Sequence, residues 1–127
     1  MDTHVPEMLR QDLRPDPVLP HFPAGAGVIL IGMAGAGKST VGKALAQRLN
    51  WACADTDHII EAHYGVVLQR IADTLSKDEF LDLECRVVLE LRLSRTVLAT
   101  GGSVVYRERA MRHLSSLGPL VYLDVSL

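Results

Sequence analysis

The chain has 127 residues, 48% of them hydrophobic and 22% charged, with a formal net charge of -2. That size holds one domain with enough apolar material for a core. The near-neutral balance gives no electrostatic case for nucleic acid or an acidic membrane surface as partner. No apolar run is long enough for a transmembrane helix, and the N-terminus lacks the basic-then-apolar order of a secretory signal. Cys53 and Cys85 stand far apart without ligand-type spacing and read as small buried side chains rather than a disulfide or metal site. Together these features point to the cytoplasm.

Residues 1–27 contain five of the six prolines, Pro6, Pro15, Pro17, Pro20 and Pro23. Such crowding excludes a regular helix or a central strand, so this segment reads as a flexible tail ahead of a domain spanning 28–127. The apolar run Val28-Ile29-Leu30-Ile31 is the first strand. Gly32-Met33-Ala34-Gly35-Ala36-Gly37-Lys38-Ser39-Thr40 follows, with the spacing G-x-x-x-x-G-K-S of a Walker A loop. A strand before it and helical spacing after it complete the context of a phosphate-binding P-loop. Glycines let backbone N–H groups close around a phosphate, and the positive end of the next helix adds its attraction. Gly35, Ala36, Gly37, Lys38, Ser39 and Thr40 are therefore the candidate nucleotide contacts. Lys38 would reach the terminal phosphates and the Ser39 hydroxyl would ligate magnesium.

Val41, Ala44, Leu45 and Leu49 recur at helical spacing after the loop. Residues 51–54 form a short second strand ending at Asp55-Thr56-Asp57. A short helix carrying Ile59, Ile60 and His63 stops at Gly65, and 66–73 give another helical turn. Ser76-Lys77-Asp78-Glu79 has the form of a capping box. Its helix should run to about Ser94, with Phe80, Leu83, Val87 and Leu91 on one stripe. Glu84, Arg86, Glu90 and Arg92 read as its solvated face. Val97-Leu98-Ala99 is the third strand, ending in Thr100-Gly101-Gly102-Ser103. A helix through Ala110, Met111 and Leu114, opened by Arg107, Arg109 and Arg112 as solvated charges, stops at Gly118-Pro119. The fourth strand covers 120–123.

Continuous apolar strands separated by helices indicate an α/β three-layer sandwich: a parallel sheet of βαβ units covered on both faces. Ligands of such sheets bind at the carboxyl ends of the strands. The glycine loop, Asp55 with Asp57, and Gly101 with Gly102 all fall there, which implies one site. Phosphoryl transfer needs a metal beside Ser39 and a group to position or deprotonate the attacking hydroxyl. Two carboxylates one residue apart can divide those tasks. Asp57 also reads as an N-cap for the helix of Ile59 and Ile60. Gly101 and Gly102 either offer N–H groups to an anionic substrate or make a tight turn. His58, His63 and His113 read as surface or partly buried side chains.

L-I-G-M-A-G-A-G-K-S-T-V-G-K-A-L-A, D-T-D-H-I-I-E, F-L-D-L-E, V-L-A-T-G-G-S-V and L-V-Y-L-D-V-S together resemble the shikimate kinase family from Val28 to the end. The resemblance implies the nucleoside-monophosphate-kinase type of P-loop fold, with strand order 2-3-1-4-5 and a mobile lid. It implies transfer of the terminal phosphoryl of ATP to the 3-hydroxyl of shikimate, with Mg2+. It gives Lys38 the phosphate role and Ser39 the magnesium hydroxyl. Asp55 takes the metal's water shell, Asp57 the substrate hydroxyl, and Gly101 and Gly102 the place beside bound substrate. Three departures stand out. Leu81 occupies the place of the family arginine that pairs with the shikimate carboxylate, a charge-assisted contact leucine cannot make. Ser103 replaces a third glycine. Leu127 comes before the family's lid, fifth strand and last helix, so the fold expected for this chain lacks the lid and last strand. A complete member would be a monomer, and the open edge of the fourth strand offers a route to association.

Two further readings stand beside a shikimate kinase-like enzyme: a catalytically impaired nucleotide-binding module, and a related P-loop kinase with a different acceptor. A GTPase switch is disfavoured, because neither D-x-x-G nor N-K-x-D occurs.

Overall fold

The computed structural model describes residues 27–33 and 37–123. The proline-rich tail expected over 1–27 lies outside them except for Gly27, as do Ala34, Gly35 and Ala36 of the glycine loop. Strand β1 (Val28–Ile31) leads through that loop to α1 (Lys38–Leu49) and β2 (Ala52–Asp55). Helices α2 (Thr56–Tyr64), α3 (Leu68–Thr74) and α4 (Lys77–Leu89) follow. Strand β3 (Thr96–Ala99), a single 3-10 turn (Val104–Tyr106), α5 (Glu108–Leu117) and β4 (Leu120–Tyr122) complete the described fold. The four strands pair in parallel in the order β2-β3-β1-β4. This is the parallel sheet expected from the uninterrupted apolar runs.

Side-chain alternation along β1 explains why every residue of that strand is buried. Ile29 and Ile31 point to one face, where they meet Leu98 of β3, Cys85 and Val88 of α4, and Ala110 and Leu114 of α5. Val28 and Leu30 point to the other, where Val97, Ala46 and Leu49 await them. Fully burying one such side chain contributes about 1.5–3 kcal/mol, so the central pair β1 and β3 anchors the sheet. Helix α4 also has a second apolar side. Leu83 and Val87 pack with Ile60 of α2 and Ile71 of α3 in a separate cluster, which accounts for the wide apolar stripe in its sequence.

Four local expectations need correction. The buried face of α1 is Gly42, Ala46 and Leu49, whereas Val41 and Ala44 face outward. Small residues face the sheet there because the helix lies close to it: a Cβ on Gly42 would stand 3.4 Å from Leu30 and 3.5 Å from the Cys53 sulfur. Helix α4 stops at Leu89, not near Ser94. The chain leaves the helix to enter β3 through Arg95, at a φ of 53°, while Leu91 and Leu93 still pack on the sheet side. Cys53 is exposed and only Cys85 is buried, because β2 lies at the edge of the sheet. Finally, Glu84 does not belong to a solvated face. It is 2% exposed.

The capping box does form. Glu79 N–H donates to the Ser76 hydroxyl at 3.1 Å and Ser76 N–H to the Glu79 carboxylate at 2.9 Å. Of the arginines near α5, Arg107 donates to Asp82 of α4 at 3.2 Å and Arg112 pairs with Glu108 at 2.7 Å. Both are surface contacts of the kind worth at most about 1 kcal/mol.

Candidate functional site

The parallel register brings the ends of β1, β2 and β3 level, with Asp55 beside Ala99 and Ala99 beside Leu30. The described residues that follow those three strands therefore meet at one end of the sheet. Gly37 sits at the N-cap of α1 with φ 81°, a left-handed conformation that side-chain-bearing residues resist. It turns the chain so that α1 begins directly at Lys38. The Lys38 ammonium donates to the carbonyl oxygens of Gly32 and Met33. Its charge is thus held across the glycine loop rather than released to solvent.

Asp55 serves two partners with its two oxygens. Oδ1 accepts from the Asp57 N–H at 2.8 Å, capping α2. Oδ2 accepts from the Ser39 hydroxyl at 3.0 Å. The cap of α2 is therefore Asp55, and the sequence reading that gave this duty to Asp57 is corrected. Asp55 ends an extended strand with φ -132°, the backbone an N-cap requires, whereas Asp57 already lies inside the helix. Its carboxylate is consequently free of the capping role. Asp57 is half-buried, and burial, then the charges of Asp55 and Glu61, push its carboxyl above the usual range against the pull of His58 and Lys38.

The turn after β3 is held from three sides. Thr100 donates its hydroxyl to the Leu30 carbonyl at 2.9 Å. Gly101 N–H donates to the Thr56 hydroxyl at 2.8 Å, and Ser103 donates its hydroxyl to Glu84 Oε1 at 2.9 Å. The Gly101 N–H is thus engaged by Thr56, as the tight-turn reading of this glycine pair requires, while Gly101 and Gly102 both line the cavity. Gly101 is required by close approach: a Cβ there would stand 2.6 Å from Glu84 Oε2 and 3.2 Å from Asp57 Oδ1. Burial pushes the Glu84 carboxyl up, the Ser103 hydrogen bond draws it part of the way back, and the Asp57 charge adds to the rise.

A cavity of 340 Å3 opens among Gly37, Lys38, Ser39, Thr40, Asp55, Asp57, Ala99, Thr100, Gly101 and Gly102. It gathers every described residue that the sequence proposed for nucleotide, metal or substrate. Thr56, Glu84 and Ser103 support it without having been singled out. The signals available for them were the middle place of D-T-D, the spacing F-x-x-x-E and the serine after two glycines. Leu81, at the place of the expected arginine, is 6% exposed and belongs to the core. Among the described residues no helix is long and apolar enough to cross a membrane.

The family model for shikimate kinase matches residues 34–127. The chain belongs to the shikimate kinase family. It is 44% identical over 100 residues to the shikimate kinase of Paracidovorax citrulli, an alignment covering 76% of this chain and 55% of that relative. It is 41% identical over 100 residues to that of Cupriavidus pinatubonensis, covering 78% and 52%. Among solved structures, the shikimate kinase of Acinetobacter baumannii in complex with shikimate superposes with a TM-score of 0.72 at 32% identity, covering 80% of this chain and 57% of that one. The Aquifex aeolicus enzyme gives 0.68 at 30% identity, covering 79% and 60%. The chain thus spans about half the length of the curated shikimate kinases it matches. The fold neighbours also bear out the nucleoside-monophosphate-kinase-like architecture.

Proposed function

We propose that this chain carries the nucleotide-binding and catalytic side of an ATP-dependent phosphotransferase, which moves the terminal phosphoryl group of ATP to a hydroxyl of shikimate. The observation that supports this most is the meeting of Lys38, Ser39, Asp55 and Asp57 around one cavity. The proposed parts are a cation for phosphate, a hydroxyl and a carboxylate for a metal, and a second carboxylate for the acceptor.

The residues present suit Mg2+. Ser39 Oγ and Asp55 Oδ2 are hard oxygen atoms 3.0 Å apart, as suits an ion bound by few protein ligands together with substrate phosphates and water. Among the described residues no group of three or more His, Cys, Asp or Glu could form an all-protein metal cage. When bound, the ion would neutralise charge on the phosphates. Ser39 would hold it, with Asp55 ordering its surroundings. Lys38, which now donates to the Gly32 and Met33 carbonyls, would carry its charge to the phosphoryl being transferred. Asp57 lies across the cavity, and its raised affinity for a proton suits it to accept one from the acceptor hydroxyl. The free thiols of Cys53 and Cys85 accord with a reducing cytoplasm, the compartment proposed here. The working partner is a small molecule.

The test is coupled ADP release with MgATP, in the presence and absence of shikimate. Shikimate-dependent turnover that disappears in Asp57→Asn is expected. Tight ATP binding with no turnover on shikimate would overturn the reading in favour of a binding module.

A further inference from the structure

Three polar side chains are buried among the described residues: Thr56, Glu84 and Thr100. They come from three separate elements, yet all three bear on the turn 100–103. Two are neutral threonines, whose burial costs little once each hydroxyl is bonded. Glu84 is different. Burying a carboxylate costs several kcal/mol unless its surroundings compensate. Of the salt bridges among the described residues, none involves Glu84. One turn earlier on the same helix, Leu81 is apolar. Stability alone would have favoured another apolar side chain at 84.

We propose that Glu84 is a positioning residue. Through the Ser103 hydroxyl it fixes the turn 101–103 as the floor of the acceptor side, and through Gly101 it sets where Asp57 stands. The inference rests on the phosphotransferase reading of the site. An apolar side chain at 84 would leave the Ser103 hydroxyl without its acceptor. The carboxylate takes that hydrogen bond with Oε1 and brings Oε2 up behind Gly101, at the point where a Cβ would have to go. Asp57 Oδ1 approaches the same point from the cavity side. Glu84 is not in the cavity wall, whereas Asp57 and Gly101 are. It therefore stands behind the wall as a strut: its bulk keeps Asp57 from sinking back toward α4. The Ser103 hydroxyl ties the turn to this strut.

The test uses the full chain with Ser103→Ala, Glu84→Ala and Glu84→Gln. Three readouts apply: amide hydrogen exchange over 101–103, the KM for shikimate set against kcat, and equilibrium affinity for ADP. Loss of one hydrogen bond to a charged group predicts faster exchange and a KM raised about tenfold in Ser103→Ala and Glu84→Ala. ADP affinity should be unchanged. Glu84→Gln keeps an accepting oxygen and should restore both exchange protection and KM. Unchanged exchange in Ser103→Ala overturns the proposal, and so does Glu84→Gln behaving like Glu84→Ala. A parallel loss of ADP affinity would indicate general damage and also overturn it. If the wild-type chain shows no shikimate-dependent turnover, the phosphotransferase reading fails separately, and the exchange measurement still decides whether Glu84 fixes the turn.

Discussion

Replacing Gly101 by alanine tests the construction of the site with a single methyl group. The backbone there is outside the left-handed region, so alanine meets no conformational penalty of its own. The conflict is with two carboxylates, Glu84 Oε2 at 2.6 Å and Asp57 Oδ1 at 3.2 Å from the new carbon. The first distance is well inside contact and requires movement; the second requires Asp57 to give by a few tenths of an ångström. Glu84 is 2% exposed and cannot swing into solvent, and its retreat would stretch the 2.9 Å bond from Ser103. Overpacking of this kind costs about 1–3 kcal/mol. For a domain near this size that corresponds to a fall in melting temperature of roughly 4–20 °C. With Asp57 in its proposed role toward the acceptor, displacing it would lower turnover by about 100-fold, since catalytic groups tolerate little misplacement. Thermal melting of Gly101→Ala, Glu84→Asp and the double variant gives the decisive comparison. The shorter aspartate withdraws from the methyl, so the double variant should recover about 0.5–3 kcal/mol relative to additivity. Strict additivity, or a Gly101→Ala protein melting with the wild type, would refute the close packing of the two carboxylates around Gly101.

Three further outcomes are expected. Glu84→Gln should match the wild type most closely in stability near pH 4 and gain on it as pH rises. The folded-state pKa of Glu84 is raised, so the unfolded chain releases this proton first and the wild type loses stability until the folded carboxyl has also ionised; a gap independent of pH in melting scans would contradict this. Ser39→Ala should weaken binding of ATP more in the presence of Mg2+ than with EDTA, as the proposed role of its hydroxyl on the ion requires; equal loss in both conditions, by calorimetry, would remove Ser39 from the metal. Leu98→Ala should cost about 2–5 kcal/mol in denaturant unfolding, as for other fully buried leucines, since Leu98 is 0% exposed in the central strand β3.

Features fixed by neighbouring residues were readable in the amino-acid sequence. The strand of four consecutive apolar residues before the glycine loop, the capping box at Ser76 and the stop at Gly65 each depend on a few adjacent positions. Features decided by elements distant in sequence were not. Cys53 was expected inside because cysteine is usually buried, although the strand order implied by the family resemblance already put the second strand at an edge. Glu84 lies among charged neighbours, and only its place in the pattern F-x-x-x-E sets it apart from Arg86 or Glu90. Its burial arises because the turn after β3 folds over that one position. Asp55 and Asp57 divided their duties in a manner set by one dihedral boundary between strand and helix. The chemical inventory of the site was thus legible, while its supporting framework required the fold.

The shared carboxylate of Asp55 has a consequence for the mutational paths open to this chain. One oxygen starts a helix and the other accepts from Ser39 at the proposed ion site, so most substitutions at position 55 act on both duties at once. Asparagine preserves the cap yet withdraws the charge; glutamate keeps the charge but is a poor cap. Asparagine is therefore the one of these two changes that separates the duties, leaving the start of α2 intact while removing the carboxylate from the proposed ion site.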